Sequence, residues 1–261
     1  MKLLEEEIIN LKKKLEKDFI DPIEKDILKH FILNGSKFIR SSLSILYLKS
    51  QNIEITEDIY KILVAGELIH SASLLHDDVI DNAETRRGKS TIAKTFGSKV
   101  SILAGDYLLT SAISNLLKLK DFEIIERFKT CTQKMVEAEL KQFFLRDNLP
   151  CEKDYLGICK GKTAGLFSCI LQSCAQISNI DLVKANSFGE LFGLSFQIKN
   201  DLESKSAEID KHNGIYTAKD ILGIENTHNL LDNYKQEMKN LIKDFPENIY
   251  KESLEVLIKS L

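Results

Sequence analysis

Residues 62–91 read ILVAGELIHSASLLHDDVIDNAETRRGKST, and this stretch decides the fold class. Its apolar residues recur at intervals of three and four, which predicts a long α-helix. They are Ile62, Ala65, Ile69, Ala72 and Leu75. Asp77 and Asp81 are four residues apart and therefore project from one face of that helix, with Asp78 one position round. Like charges on adjacent turns repel each other, which indicates that the helix presents them to a cation.

The charged groups of this stretch suit a hard metal ion and phosphate. Mg²⁺ prefers oxygen ligands, takes one or two carboxylates and completes its shell with water and phosphate oxygens. Arg86 and Arg87 follow the aspartates, and planar guanidinium groups bind phosphate through two donors at once. An acidic helix face is common on protein surfaces, so this interpretation depends on the rest of the chain.

Four further segments support it, and with them the chain resembles the trans-isoprenyl diphosphate synthases, the polyprenyl synthetase family. The segments are NGSKFIR at 34–40, ELKQ at 139–142, GKTA at 161–164 and FQIKNDLES at 196–204. The resemblance implies an all-α fold, a single-domain bundle of long helices around a central cavity. It also implies a Mg²⁺-dependent prenyltransferase that joins isopentenyl diphosphate to an allylic diphosphate, head to tail and in the trans configuration.

The same resemblance assigns site residues. Those implied for the diphosphate of isopentenyl diphosphate are Lys37, Arg40, His70 and Arg87. Those implied for the allylic diphosphate are Arg86 and Lys162. Thr163 and Gln197 would present oxygen dipoles to the carbocation that forms when this diphosphate leaves, and such dipoles act most strongly where water is excluded. The residues implied to bind Mg²⁺ are Asp77, Asp81, Asn200 and Asp201. The resemblance implies three Mg²⁺ ions when substrate is bound.

The second metal motif departs from the family pattern. Where the family has a second DDxxD, residues 200–204 read NDLES. One interpretation keeps Asn200 and Asp201 as a weaker synthase site. The other follows the NDLxSxxxE motif of class I terpene cyclases, in which Asn200, Ser204 and Glu208 face one ion at four-residue steps. The sequence leaves both interpretations open.

Three other functions are alternatives. A terpene cyclase has no use for isopentenyl diphosphate, yet the residues implied to bind it are present. A non-catalytic partner subunit of a heteromeric synthase would fit the altered second motif, but the first motif is intact. His76 and Asp77 are similar to the HD pair of helical metal phosphohydrolases, which need further His and Asp ligands, and of the other histidines only His30 lies upstream at a plausible distance.

Small residues near the first aspartates bear on product length. Ser73 lies one turn before Asp77, and Ala72 is its neighbour. Short-chain members of the family place aromatic residues there, which close the substrate channel. The resemblance therefore implies a product longer than farnesyl diphosphate, either geranylgeranyl or a medium to long polyprenyl diphosphate.

Length and composition favour one helical domain. Helical spacing of apolar residues runs through 3–19, 102–119, 123–145 and 155–177 of the 261 residues, a length that can bury a large core. The three prolines fall in polar breaks between such segments. We expect one polyprenyl synthetase-like domain over 1–261, shorter than the family in the lid region after Asp201 and at the C-terminus.

Composition also limits partners and location. The net charge of -3, with lysines interspersed among glutamates, does not indicate nucleic acid. Five cysteines without C-x-x-C spacing favour free thiols in a reducing compartment. The first residues are acidic where a signal peptide is apolar, and no apolar run approaches membrane-spanning length. We expect a cytoplasmic enzyme without a membrane span, whose product can be membrane-bound, and the resemblance adds a homodimer.

Overall fold

The computed structural model describes residues 2–17, 36–203 and 214–261, and these residues are mainly α-helical. A 3₁₀ turn at Lys2–Leu4 precedes the first helix. The helices are α1 (Glu5–Lys17), α2 (Ile39–Lys49), α3 (Glu57–Ile80), α4 (Ile92–Phe96), α5 (Ser98–Leu117), α6 (Phe122–Phe144), α7 (Glu152–Cys159), α8 (Gly165–Ile177), α9 (Leu182–Glu203), α10 (Ala218–Leu222), α11 (Ile224–Ile242) and α12 (Ile249–Ser260). The prediction of an all-α protein is confirmed.

Contacts between elements divide the chain into two compact units. The first comprises Met1–Ile45 and Ile55–Ile125, and the second comprises Leu46–Glu54 and Glu126–Leu261. The first unit contains α3 and the second contains α8 and α9. One domain over 1–261 stays a prediction.

The core of the first unit is built on α3. Thr56 caps this helix, its side chain accepting the N–H of Ile59 at 3.4 Å, and α3 then packs mainly along α5. The Ser101 hydroxyl of α5 donates to the carbonyl of Leu75 at 2.9 Å. Apolar side chains of α3 are fully buried, and each contributes about 1.5–3 kcal/mol through removal from water. This packing fixes the end of α3, where the aspartates lie.

A short antiparallel hairpin follows α3 and is the only sheet in the ranges described. Its strands are β1 (Thr85–Arg86) and β2 (Lys89–Ser90), with Arg86 opposite Lys89. The two turn residues, Arg87 and Gly88, have φ of 53° and 77°. Both values are positive, as a type I′ turn requires, and glycine adopts such a value without strain. The hairpin therefore carries both arginines at its tip.

The core of the second unit contains a cluster of aromatic rings. The ring of Tyr47 lies 5.0 Å from that of Phe188 and 5.2 Å from that of Phe245, and Phe167 of α8 lies 5.4 Å from Phe192 of α9. Aromatic pairs at such distances add about 0.5–1.5 kcal/mol each beyond the area they bury. The contact between Phe167 and Phe192 holds α8 and α9 together, and both helices adjoin the site residues of this unit.

One helix has the length and composition of a membrane span. Among the described residues this is α5, Ser98–Leu117. Its segment of the chain is therefore more apolar than we expected. It packs along α3, and core helices of water-soluble proteins pass the same test, so this is weak evidence for a span.

Candidate active site

Two carboxylates lie together at the C-terminal end of α3. Asp77 is in the last turn and Asp81 is the C-cap, whose backbone N–H donates to the carbonyl of Asp77 at 2.8 Å. The helical path thus continues to Asp81, and both side chains are partly exposed. The last turn of α3 contains no basic residue, and the negative end of a helix dipole disfavours anions. Dipole and mutual repulsion both make this position suitable for a cation.

Asp78, between these two, has a different environment. It has no exposed surface, and its Oδ1 accepts a hydrogen bond from Nε of Arg86 at 2.6 Å. Burial raises the pKa of the Asp78 carboxyl, Arg86 lowers it and Asp81 raises it. Asp78 therefore fixes the hairpin arginine to the helix that carries the metal-type carboxylates.

The hairpin also contacts the segment that leads into α2. Nη1 of Arg87 donates to the hydroxyl of Ser36 at 3.2 Å. Lys37 follows and is exposed, and Arg40 is in the first turn of α2. This contact joins two motifs that are far apart in sequence, since Ser36 and Arg87 are 51 positions apart. Asn34 and Gly35, the first two residues of the NGSKFIR segment, lie outside the described residues.

His70 lies in α3, two turns before Asp77, in a strongly positive environment. Burial holds the pKa of this imidazole well below its usual value, and Arg40, Arg87 and Arg86 lower it further. His70 is therefore neutral at pH 7. The four residues form one group, the basic cluster, and three guanidinium groups in a partly desolvated place favour an anion.

A buried carboxylate beside the basic cluster was not found from the sequence. Glu67 is 3% exposed and accepts hydrogen bonds from the Ser41 hydroxyl at 2.6 Å and the Ser41 N–H at 3.3 Å. Burial raises the pKa of Glu67, while Ser41, Arg40 and Arg87 lower it. A glutamate inside the apolar run LVAGELI was the available signal, because such a residue needs partners when buried.

The second unit presents the GKTA motif on a π-helical turn. This turn, Lys160–Ala164, continues α7 into α8. A side chain at Gly161 would place its Cβ 2.6 Å from the Cβ of Ala138 on α6, so only glycine allows this approach. Nζ of Lys162 pairs with Glu139 and donates to Oε1 of Gln142 at 2.9 Å. The ELKQ segment therefore positions Lys162. Turns of this kind are frequent at functional sites.

Thr163 and Gln197 are in direct contact, as their proposed shared role requires. The Thr163 hydroxyl donates to Oε1 of Gln197 at 3.0 Å, and Nε2 of Gln197 donates to Oδ1 of Asp201 at 2.9 Å. Oδ2 of Asp201 accepts from the Tyr155 hydroxyl at 2.6 Å and from the N–H of Ala218 at 2.9 Å. Burial raises the pKa of Tyr155, and Asp201 adds to this effect, so this hydroxyl keeps its proton. Tyr155 was not identified from the sequence.

Asn200 and Asp201 of the second metal motif differ in their exposure to solvent. Asn200 is exposed near the end of α9, whereas Asp201 is buried and 8% exposed. Ser204 and Glu208, which the cyclase interpretation needs, lie outside the described residues. The assignment of Asn200 and Asp201 to a metal stays a prediction.

The donor set of α3 fits Mg²⁺. Within 2–17, 36–203 and 214–261, no three His, Cys, Asp or Glu side chains are grouped as a complete metal cage. Mg²⁺ does not require one, because it is commonly held by one or two carboxylates and substrate phosphates. Asp77 and Asp81 supply two such carboxylates, and the basic cluster on the same unit suits the phosphate.

Comparisons with known proteins agree with this geometry. The family model described as polyprenyl synthetase matches residues 21–254. A prenyl transferase of Cyanidium caldarium is 31% identical over 212 aligned residues, covering 76% of this chain and 64% of that protein. An octaprenyl diphosphate synthase of Haemophilus influenzae is 30% identical over 182 residues, covering 68% of this chain and 55% of that protein. The chain spans less than two thirds of the length of these two relatives.

A solved structure extends the agreement to the fold. The crystal structure of heptaprenyl diphosphate synthase from Staphylococcus aureus is 26% identical, with a TM-score of 0.88, and the match covers 97% of this chain and 96% of that one. The prediction of the isoprenoid synthase fold is therefore confirmed. Family match, relatives and fold agree, and the chain belongs to the polyprenyl synthetase family.

Proposed function

We propose that this chain is a Mg²⁺-dependent prenyltransferase that condenses isopentenyl diphosphate with an allylic diphosphate. The observation that carries the proposal is the charge pattern of α3. Arg40, Arg86 and Arg87 all lower the pKa of His70, and Asp77 and Asp81 follow on the same helix. A group that attracts an anion beside a pair that attracts a cation suits a diphosphate bound together with Mg²⁺.

Isopentenyl diphosphate binds at Arg40, Arg87 and His70 of the basic cluster in this proposal. Arg40 and Arg87 supply bidentate donors to the phosphates, and Lys37 supplies a mobile ammonium group from the exposed segment before α2. His70 is neutral, so one ring nitrogen donates an N–H without adding a fourth positive charge. Glu67 and Ser41 hold the start of α2 against α3 beneath this group.

The allylic diphosphate binds to Arg86 and to the aspartates of α3 in this proposal. When bound, Mg²⁺ at Asp77 and Asp81 supplies positive charge to the leaving diphosphate, and the full site takes three ions. Asp78 holds Arg86 through the Nε atom of the arginine. This ion pair fixes the orientation of the two terminal nitrogens of Arg86. In the second unit, Glu139 and Gln142 hold the ammonium group of Lys162, whose positive charge suits a phosphate oxygen.

The cation that forms is stabilised by oxygen dipoles. Because the Thr163 hydroxyl donates its proton to Gln197, the lone pairs of the Thr163 oxygen are directed away from that bond. The double bond of isopentenyl diphosphate attacks the cation, a C–C bond forms, and the released diphosphate accepts the proton lost from the adduct. No side-chain nucleophile takes part.

The product in this proposal is longer than farnesyl diphosphate. Ala72 is fully buried, and Ser73 lies one turn from Asp77 on the same face of α3. Small side chains at both positions leave room for further isoprene units. The relatives named heptaprenyl and octaprenyl diphosphate synthase support a medium to long chain.

The test is incubation of the purified protein with Mg²⁺, farnesyl or geranylgeranyl diphosphate, and labelled isopentenyl diphosphate. We expect label in elongated diphosphates, lost in Asp77→Ala and on chelation of the metal. An enzyme that leaves isopentenyl diphosphate unused under all these conditions would refute the proposal.

A class I terpene cyclase is the second candidate. The observation in its favour is that Asn200 is exposed whereas Asp201 is buried, since the cyclase motif uses the asparagine and not its neighbour. The intact basic cluster argues against it. Hydrocarbon formed from an allylic diphosphate without isopentenyl diphosphate would favour the cyclase.

The proposal also covers assembly and location. We propose a cytoplasmic homodimer without nucleic acid partners or a membrane span. Light scattering of the purified chain tests the dimer. An inactive chain that gains activity on mixing with a second synthase subunit would instead identify it as the partner subunit of a heteromer.

A further inference from the structure

Asp201 lies at the centre of a hydrogen-bond chain in the second unit. Its Oδ2 accepts from the hydroxyl of Tyr155 at 2.6 Å and from the N–H of Ala218 at 2.9 Å. Its Oδ1 accepts from Gln197 at 2.9 Å, and Gln197 accepts from Thr163 at 3.0 Å. The chain therefore joins α7, the π-helical turn, α9 and the start of α10.

The carboxyl oxygens of Asp201 set the direction of the bonds in this chain, because they accept from all three neighbours. An ionised carboxylate only accepts hydrogen bonds, so each neighbour has to donate. Gln197 consequently turns its amide nitrogen to Asp201, and its carbonyl oxygen faces Thr163. The Thr163 hydroxyl then donates to that carbonyl, and its own lone pairs remain for the substrate cation.

The same contacts make Asp201 unsuited to a metal. Mg²⁺ requires near-ideal octahedral geometry, so a ligand has to present an oxygen along an open direction. Protein donors take three of the roughly four acceptor positions on the Asp201 carboxylate, and only 8% of the residue is exposed. Asn200, the preceding residue, is exposed. Asn200 and Asp201 therefore have different roles.

We infer that Asp201 is a positioning residue, held by Tyr155 and the Ala218 amide, that orients Gln197 and Thr163 toward the substrate cation and does not bind metal. The inference rests on the proposed function and refines it: the second acidic motif contributes to metal binding through Asn200, and its remaining aspartate contributes to the orientation of the dipoles.

The first experiment compares Asp201→Asn and Tyr155→Phe with Asp81→Asn, which removes a proposed metal ligand. We expect Asp201→Asn to lower kcat by about tenfold or more, since loss of one oriented dipole costs up to about 10²–10³-fold. KM for both substrates should stay within about twofold, and Tyr155→Phe should act in the same direction but less. Large KM changes without a change in kcat would overturn the inference.

The second experiment measures Mn²⁺ binding by calorimetry in the presence of inorganic diphosphate. Asp81→Asn should weaken Mn²⁺ binding by about tenfold or more, whereas Asp201→Asn should change it by less than about twofold. Equal weakening by both variants would identify Asp201 as a metal ligand and overturn the inference.

The third experiment tests whether Asp201 acts through Thr163. Residues that act as a unit are not additive, so Thr163→Ala should have little further effect on kcat in the Asp201→Asn background. Multiplication of the two losses would contradict the inference. Melting curves of all variants show whether the fold is retained. Together with Tyr155→Phe, the milder substitution, they separate a loss of orientation of Gln197 and Thr163 from a loss of folding.

These results are separable from failure of the proposed function. If the wild-type chain makes no prenyl product, the Mn²⁺ titration still decides whether Asp201 binds metal. Hydrogen exchange at the Ala218 amide, expected to be faster in Asp201→Asn, decides whether the carboxylate holds α10. Unchanged exchange together with weakened Mn²⁺ binding would overturn the inference without reference to turnover.

Discussion

Nε of Arg86 lies 2.6 Å from Oδ1 of Asp78, a carboxylate with no exposed surface. The pair joins the hairpin to the helix of the first acidic motif. It explains why Asp78 differs from the two other aspartates of HDDVID. Asp77 and Asp81 are partly exposed, whereas Asp78 is buried and paired with Arg86.

Loss of Arg86 should destabilise the fold as well as the site. Arg86→Ala leaves a buried carboxylate without its partner, which costs about 3–5 kcal/mol, reduced where the carboxyl takes up a proton. Urea unfolding measures this free energy. The control is Lys94→Ala, which breaks the exposed pair with Glu84, and such a pair contributes less than about 1 kcal/mol. Equal losses in both variants would contradict a structural role for the Arg86 pair.

The depressed pKa of His70 predicts a dependence of stability on pH. In the unfolded chain this imidazole takes up a proton near its usual value of 6.5, whereas in the folded chain it does so at a well lower pH. Between the two values the unfolded state binds more protons, so stability is lost as pH falls below 6.5.

His70→Gln tests this effect, because glutamine stays neutral. The difference in free energy of unfolding between about pH 7.5 and about pH 5.5 should be smaller in the variant than in the wild type. Glu67 and Asp78 have raised pKa values and act in the opposite sense at lower pH, in both proteins. An unchanged pH difference would show that His70 titrates normally.

Glu139 should control the affinity for the allylic substrate through Lys162. Glu139→Gln keeps a hydrogen-bonding group but removes the charge that holds the ammonium, so KM for the allylic diphosphate should rise by about threefold to tenfold. KM for isopentenyl diphosphate should not change. Glu137→Gln, on the exposed side of the same helix, is the matched control and should leave both values unaltered. A rise in both KM values in Glu139→Gln would indicate general damage.

Local patterns predicted the helices and the position of the first acidic motif. Apolar spacing near 3.6 residues determines which residues share a helix face, and it put Asp77 and Asp81 on one long helix, whose last turn contains Asp77 and whose C-cap is Asp81. The hairpin is too short to show strand alternation. The side-chain pairings could not be predicted, because Glu67 with Ser41 and Asp201 with Tyr155 join residues 26 and 46 positions apart. Such pairings depend on packing, which no local pattern encodes.

The roles of individual site residues were harder to predict than their identities. The motif NDLES gives no sign that Asp201 is bonded through both oxygens, since this depends on α7 and α10. The π-helical turn of GKTA was equally hidden, because helical spacing runs from 155 to 177 without a visible break. A motif therefore indicates the type of chemistry, but it does not show which atom performs it.

Product length should respond to the size of residue 73. Ser73 lies one turn before Asp77 and is partly exposed, whereas Ala72 is fully buried, so an aromatic ring at 72 risks overpacking the core. Ser73→Phe should fill the path of the growing chain and shorten the longest product, with initial rates from farnesyl diphosphate preserved. Ser73→Ala, which adds no volume, should keep the wild-type distribution. Mass spectrometry of the dephosphorylated products measures chain length, and an unchanged distribution in an active Ser73→Phe enzyme would show that the product does not pass this face of α3.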